Sequence, residues 1–146
     1  MKISVQKEDF DLSSEIKSFS DPKIGAIASF IGVVREVAMT LEHYPQMTER
    51  SIRKIVEEAQ SRWQVMDCTV IHRYGELKPT DQIVLVAVAS AHRGDAFAAC
   101  EFIMDFLKTQ APFWKKEAGK DWVEARTSDD AAARRWDAPA REKKRS

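Results

Sequence analysis

Cysteine is scarce: the chain has two, Cys68 and Cys100, with no C-x-x-C spacing. The opening MKISVQKEDF lacks the apolar core of a secretory signal. These features disfavour a disulfide scaffold and predict reduced thiols in a cytoplasmic protein. Histidine is rare as well. His43, His72 and His92 lie far apart in sequence without an H-E-x-x-H, so no metal site and no cofactor are expected. The glycines form no phosphate-binding loop. No run approaches the roughly 18 apolar residues of a membrane span, so no membrane association is expected. An excess of one charge is also missing, because 23 basic residues balance 23 acidic ones. General nucleic-acid binders usually need a basic excess, so that class is disfavoured.

What is present is an apolar fraction of 44% in 146 residues, enough for one domain with a proper core. The densest chemistry lies in SAHRGDAFAACEFIMDFLKTQAPFWKKE, residues 90–117. Arg93 to Thr109 predicts a helix with Phe97, Cys100, Ile103, Met104 and Leu107 on its apolar stripe. Asp95 suits the positive end of the helix dipole. Lys108, in the last turn, projects only about 20° from Phe97 and borders that stripe. An amine held there is partly desolvated and more available as a base or nucleophile. Lysine in a last turn also suits the dipole and signals a helix end, so spacing alone leaves both readings open. Pro112 stops the helix. Phe113 and Trp114 then anchor a predicted turn that holds Lys115 and Lys116. Upstream, His92 and Arg93 stand where a strand gives way to the helix, a place where backbone N–H groups bind anions. The cationic cluster suggests an anionic small molecule or a carboxylate terminus as ligand. Cys100, on the apolar stripe, reads as a core thiol more readily than as a sulfur carrier.

The remainder supplies a frame. Ile3 to Gln6 predicts a short strand, and Asp11 to Phe19 a helix capped by Asp11 or Ser13. Ile24 to Val34 predicts a buried strand with a bulge or close approach at Gly32, delivering Arg35 at its end. Met39 to Tyr44 alternates as a strand. Thr48 is the expected cap of a helix whose apolar stripe is Ile52, Ile55, Val56, Ala59 and Trp63. Cys68 to His72 predicts a strand, followed by turns at Gly75 and Pro79. Gln82 to Ala89 predicts a central strand buried on both faces. Trp122 to Arg126 predicts a strand, and Ser128 to Trp136 a short helix. One domain is expected over residues 1–136, with a disordered tail at 137–146. Strands close enough to pair antiparallel favour an α+β fold.

LEHYPQMTE, VIHRYGEL, SAHR, FIMDFLKTQAPFWKKE and WVEAR stand in one order across residues 24–136. This series resembles the large, catalytic subunit of molybdopterin synthase. The resemblance implies an α+β fold of the α/β hammerhead type and a homodimer within a heterotetramer. Each end of the dimer would bind a small ubiquitin-like sulfur carrier with a C-terminal Gly-Gly thiocarboxylate. The implied reaction passes that sulfur to cyclic pyranopterin monophosphate and builds the molybdopterin dithiolene. The family's catalytic lysines fall on Lys108 and Lys115. Its substrate-binding segments fall on Val33, Val34 and Arg35, on His92 and Arg93, and on Lys116 and Glu117, with Arg126 as a further basic position. One departure is plain. Between Arg35 and Leu41 the chain has only EVAMT, where the family carries a longer, glycine-containing loop. Two other classes compete with this reading: a non-catalytic module that keeps the carrier groove, and a nucleic-acid stacking patch around Trp114.

Overall fold

In the computed structural model, which describes residues 1–117, 122–123 and 134–137, QIVLVAVAS forms a strand buried throughout from Val84 to Ser90. A strand this apolar must be covered on both faces, and the rest of the fold supplies that cover. The described elements are β1 (Lys2–Gln6), α1 (Leu12–Lys17), β2 (Ala26–Val33), β3 (Met39–His43), α2 (Met47–Arg62) and β4 (Asp67–Arg73). They continue with β5 (Gly75–Leu77), β6 (Gln82–Ser90), α3 (Arg93–Gln110), β7 (Phe113–Glu117) and β8 (Trp122–Val123). The first sheet has the order β1-β4-β6-β2 and is antiparallel except for the β1–β4 pair. The second, β5-β3-β7-β8, is antiparallel throughout. The α+β class and the mainly antiparallel pairing are as the sequence predicts.

The two faces of β6 separate by parity, as a strand's side chains must. Val84, Val86 and Val88 meet Ile52, Ile55, Val56 and Ala59 of α2 and Ala99, Phe102 and Ile103 of α3. Leu85 and Ala87 meet Phe10 and Ile71, with Leu12 and Ile16 of α1 packed against them. A smaller core of Val34, Leu41 and Leu77 lies beneath the second sheet. Trp136 closes the helical layer from outside, edge-on to Trp63 and Phe102 at 5.5 and 5.6 Å. Its Nε1 donates to Asp105, and its carbonyl accepts from Arg62 at 3.0 Å.

Several expectations need correction. β2 is an edge strand, not a buried one, and leaves Ile27, Phe30 and Val33 exposed at 39%, 41% and 49%. Apolar runs do not by themselves reveal whether a strand has one neighbour or two. Its register does shift between Gly32 and Val33. Gln46, at φ 68°, occupies the cap position of α2. Thr48 lies inside that helix, fully buried, and its hydroxyl donates to the Tyr44 carbonyl at 2.8 Å. Gly75, at φ 89°, opens the short strand β5. Phe113 to Glu117 is a strand and not a turn. The short connection after β2 is a tight turn in which the Val37 N–H donates to the Arg35 carbonyl at 2.8 Å, with Glu36 at φ 69°. The predicted helix before residue 134, the strand beyond Val123 and the tail after Asp137 lie outside the described residues. No described helix is long and apolar enough to cross a membrane.

Candidate functional site

β6 ends at Ser90, and α3 starts three residues later and packs back along the same strand. The thiol of Cys100, near the middle of α3, donates to the carbonyl of Val86, near the middle of β6. The last turn of α3, with Lys108, therefore stands over the start of β6. The end of β2 reaches the same place, because Val33 pairs with Gln82 and the Val34 N–H donates to Asp81 at 2.9 Å. Arg35 follows directly and is exposed. Val34 has its side chain in the small core, and its carbonyl accepts from Thr80 at 2.9 Å. With N–H, carbonyl and side chain each engaged, Val34 is held firmly and positions its neighbours. Val33, half-exposed, has a free flank.

β7 brings the second lysine. Lys115 lies opposite Leu41, which is buried, so its side chain starts on the inner face of the second sheet. It is 26% exposed, and its amine stands 3.5 Å from the Glu117 carboxylate on the same face. Lys116 points the other way and is exposed. One end of the molecule thus carries Lys108 on α3, Lys115 and Glu117 on β7, and Arg35 in the turn after β2.

His92 and Arg93 are elsewhere. They form the cap and first residue of α3, both exposed, and the His92 side chain makes no capping bond. Fifteen residues of helix separate Arg93 from Lys108, about 22 Å at 1.5 Å per residue. Within one chain the expected cationic constellation is split between the two ends of α3. Arg126 lies outside the described residues.

Lys108 is exposed, and so is Phe97, at 64%. The buried arc of α3 is made by Ala96, Ala99, Cys100, Phe102, Ile103, Met104 and Leu107. Measured from Ile103 at 100° per residue, Phe97 lies about 120° round and Lys108 about 140°. Both sit on one flank of the helix, just past its covered face. The alignment with Phe97 therefore places Lys108 on an exposed flank of the helix and not against its buried stripe.

Sequence spacing also missed the groups that surround the lysines. His72 stacks on Phe113 with ring centroids 3.8 Å apart and an 18° tilt. His43 contacts the same Phe113 at 5.9 Å and Tyr74 at 4.4 Å. Two histidines 29 positions apart are thereby gathered beside Lys108 and Lys115. Nδ1 of His72 is 2.9 Å from the Arg73 carbonyl. Burial pushes the His72 pKa down to about 4, and the charges of Lys108 and His43 add to the effect. Nδ1 of His43 is buried with no hydrogen-bond partner. The only signal in the sequence was that both histidines sit inside the motifs LEHYP and VIHRY. Among the described residues, no group of three or more His, Cys, Asp or Glu could hold a metal ion.

The cysteines sit in the core. Cys68 and Cys100 are buried, and burial pushes both thiols up to about 12. A thiol held protonated at neutral pH is neither nucleophile nor ligand.

The chain matches the family model described as MoaE protein over residues 5–110. It is 57% identical to the molybdopterin synthase catalytic subunit of Ralstonia nicotianae, covering 92% of this chain and 83% of that one. Its fold is similar to the molybdopterin biosynthesis MoaE protein of Burkholderia ambifaria, with a TM-score of 0.86 and 55% identity, covering 95% and 100% of the two chains. It is also similar to the molybdopterin synthase of Staphylococcus aureus, with a TM-score of 0.76 and 31% identity over 82% of this chain and 94% of that one.

Proposed function

Because the chain belongs to the MoaE family, whose curated relatives are molybdopterin synthase catalytic subunits, we propose that it is the sulfur-transferring subunit of that synthase. It takes sulfur from the thiocarboxylated Gly-Gly terminus of a small ubiquitin-like carrier and passes it to cyclic pyranopterin monophosphate. Two transfers complete the dithiolene of molybdopterin. Reduced, unpaired cysteines suit a cytoplasmic enzyme.

The observation that supports this reading is that α3 and β7 carry Lys108 and Lys115 towards the same end of the fold. The thiocarboxylate brings its own nucleophilic sulfur, so this chain needs no cysteine for the chemistry, in keeping with two inert thiols. Lys108 acts at the thiocarboxylate carbon or moves a proton there. Lys115, steadied by Glu117, stabilises the negative charge that develops as sulfur adds. Arg35 and Lys116 hold the substrate phosphate and the carrier terminus by charge-assisted hydrogen bonds, flanked by Val33 and Glu117. His92 and Arg93 bind the same anions, as Arg126 does. One chain keeps His92 and Arg93 a helix length from Lys108, and a homodimer within a heterotetramer lets the far end of one copy serve the lysines of another.

The test is a turnover assay with thiocarboxylated carrier and cyclic pyranopterin monophosphate, following the dithiolene product. Wild-type protein should form product, and Lys108→Ala should lose on the order of 10²-fold in rate. Near-normal turnover by Lys108→Ala would overturn the assignment of that residue. Tight carrier binding without product would replace the enzyme by a binding module.

A further inference from the structure

Phe113 opens β7, two residues before Lys115. Pro112 breaks helical continuity ahead of it, and the Phe113 N–H donates to the Ala111 carbonyl at 2.9 Å. Main-chain hydrogen bonds repeat along any strand, so they do not by themselves choose the register of FWKKE against β3. The sequence is ambiguous there. Phe113 and Lys115 are an aromatic and a lysine two residues apart, and so are Trp114 and Lys116. A slip of one residue would turn Lys116 inward and both Lys115 and Glu117 outward.

The side chains decide between these registers. Phe113 lies opposite His43 and Lys115 opposite the buried Leu41, which puts both on the inner face of the second sheet. The Phe113 ring lies nearly flat on His72, with centroids 3.8 Å apart and an 18° tilt. His72 belongs to β4 of the first sheet, so this stack ties one sheet to the other. The imidazole is itself held, because its Nδ1 lies 2.9 Å from the Arg73 carbonyl. His43 borders Phe113 at 5.9 Å and packs on Tyr74 at 4.4 Å. On the other face of β7, Trp114 meets only the edge of Tyr44 at 4.3 Å, and Tyr44 is 51% exposed. The inner ring is therefore the firmer of the two grips.

We propose that Phe113 is a positioning residue for Lys115: its ring, stacked on His72 and opposite His43, fixes the register of β7 that turns Lys115 and Glu117 inward. This rests on the sulfur-transfer reading and adds a residue to it. Side chains two apart on a strand share a face, so fixing Phe113 fixes Lys115 and, two residues on, the carboxylate 3.5 Å from its amine. In the slipped register the lysine that enters is Lys116, and it enters without Glu117 beside it.

The experiment compares wild type with Phe113→Leu, Phe113→Met and Phe113→Tyr in the full chain, supplied with thiocarboxylated carrier and cyclic pyranopterin monophosphate. Leucine and methionine keep apolar bulk, which a core tolerates, but have no flat face to stack; tyrosine keeps the ring. Phe113→Leu and Phe113→Met should each lose kcat by about 10-fold or more, the cost of a misplaced group, and Phe113→Tyr should recover most of the loss. Turnover by both non-aromatic variants within about twofold of wild type, or equal impairment of all three, would overturn the proposal. A double variant separates positioning from general damage. If the ring acts through Lys115, Phe113→Leu with Lys115→Ala should turn over within about threefold of Lys115→Ala alone, whereas multiplied losses would refute that route. A second measurement needs no turnover. Cross-strand nuclear Overhauser contacts should join Leu41 to Lys115 in wild type, and in Phe113→Leu they should weaken as contacts from Leu41 to Lys116 arise. Unchanged Leu41–Lys115 contacts sink the proposal whatever the activity. Failure of wild type to form product, with the register still dependent on Phe113, would instead count against the functional reading and leave the anchor standing.

Discussion

Gly25 offers a way to disturb one end of α3 while leaving the other alone. It sits just before β2, and its N–H donates to the Ser90 carbonyl at 3.0 Å. A Cβ placed there would fall well inside 3.0 Å of the Ala91 carbonyl oxygen, backbone against backbone. No rotamer change can relieve that contact, so the start of β2 and the segment leading to His92 must separate. Overpacking of this kind typically costs about 1–3 kcal/mol. For a domain of this size that corresponds to a melting point lowered by roughly 3–10 °C. The displacement needed is about 1 Å, the scale at which a misplaced binding group loses about 10²-fold in rate. Gly25→Ala should therefore melt earlier and lose kcat/KM through His92 and Arg93, while Lys108 and Lys115 keep their places. Gly94→Ala is the matched control. It lies next to Arg93 in the first turn of α3, and its Cβ would meet nothing within 4 Å. That change should be neutral or stabilise the helix by up to about 1 kcal/mol. Thermal melts and steady-state kinetics on both variants decide the matter. A Gly25→Ala protein that melts and turns over like Gly94→Ala would refute the reasoning, and with it the link between this contact and the His92 end.

Two further predictions concern titration and thiol chemistry. His72 has a folded-state pKa of about 4 against an ordinary 6.5, so the unfolded chain binds its proton first as pH falls. Its stabilisation is complete above about pH 6.5 and lost towards pH 4, by at most about 3 kcal/mol; urea unfolding across that range should be steeper in pH for wild type than for His72→Gln, and parallel curves would contradict it. Cys68 and Cys100 should resist thiol reagents in the native protein and react together on unfolding, and Cys100→Ala should keep sulfur transfer within about threefold, since neither thiol is ionised at neutral pH; rapid native labelling or an inactive but folded Cys100→Ala would return the sulfur to this chain.

The parts of the fold legible in the sequence were those with long, consistent periodicity. α2, α3 and β6 each present many turns or pleats of one pattern, and their bounds fall within a few residues of expectation. FWKKE carries no such pattern. It becomes a strand because β3 and β8 lie on either side of it, a fact about neighbours and not about itself. β2 was legible as a strand but not as an edge, for the same reason. At the site, Lys108 could be placed on the flank of α3 from spacing, yet whether that flank is covered depends on the sheet beneath, which closes over Ala96 and Ile103 and stops short of Phe97. The split between His92 and Lys108 could have been read from the length of the helix alone. The His43–His72 gathering could not, because only the pairing of β4 with β6 and of β3 with β7 brings those positions together.

Lys115 and Lys116 look like duplicates in the sequence, and on a turn they would be. On β7 they are separated by the pleat, one facing Glu117 and the inner sheet surface, the other facing solvent. Parity makes the pair non-redundant. Inserting or deleting a single residue between Pro112 and Lys115 would leave the same two lysines in the chain and exchange which of them meets the site. Homologous chains can therefore share the letters KK and still differ in function, and it is the count of residues from Pro112, more than the presence of lysine, that has to be preserved.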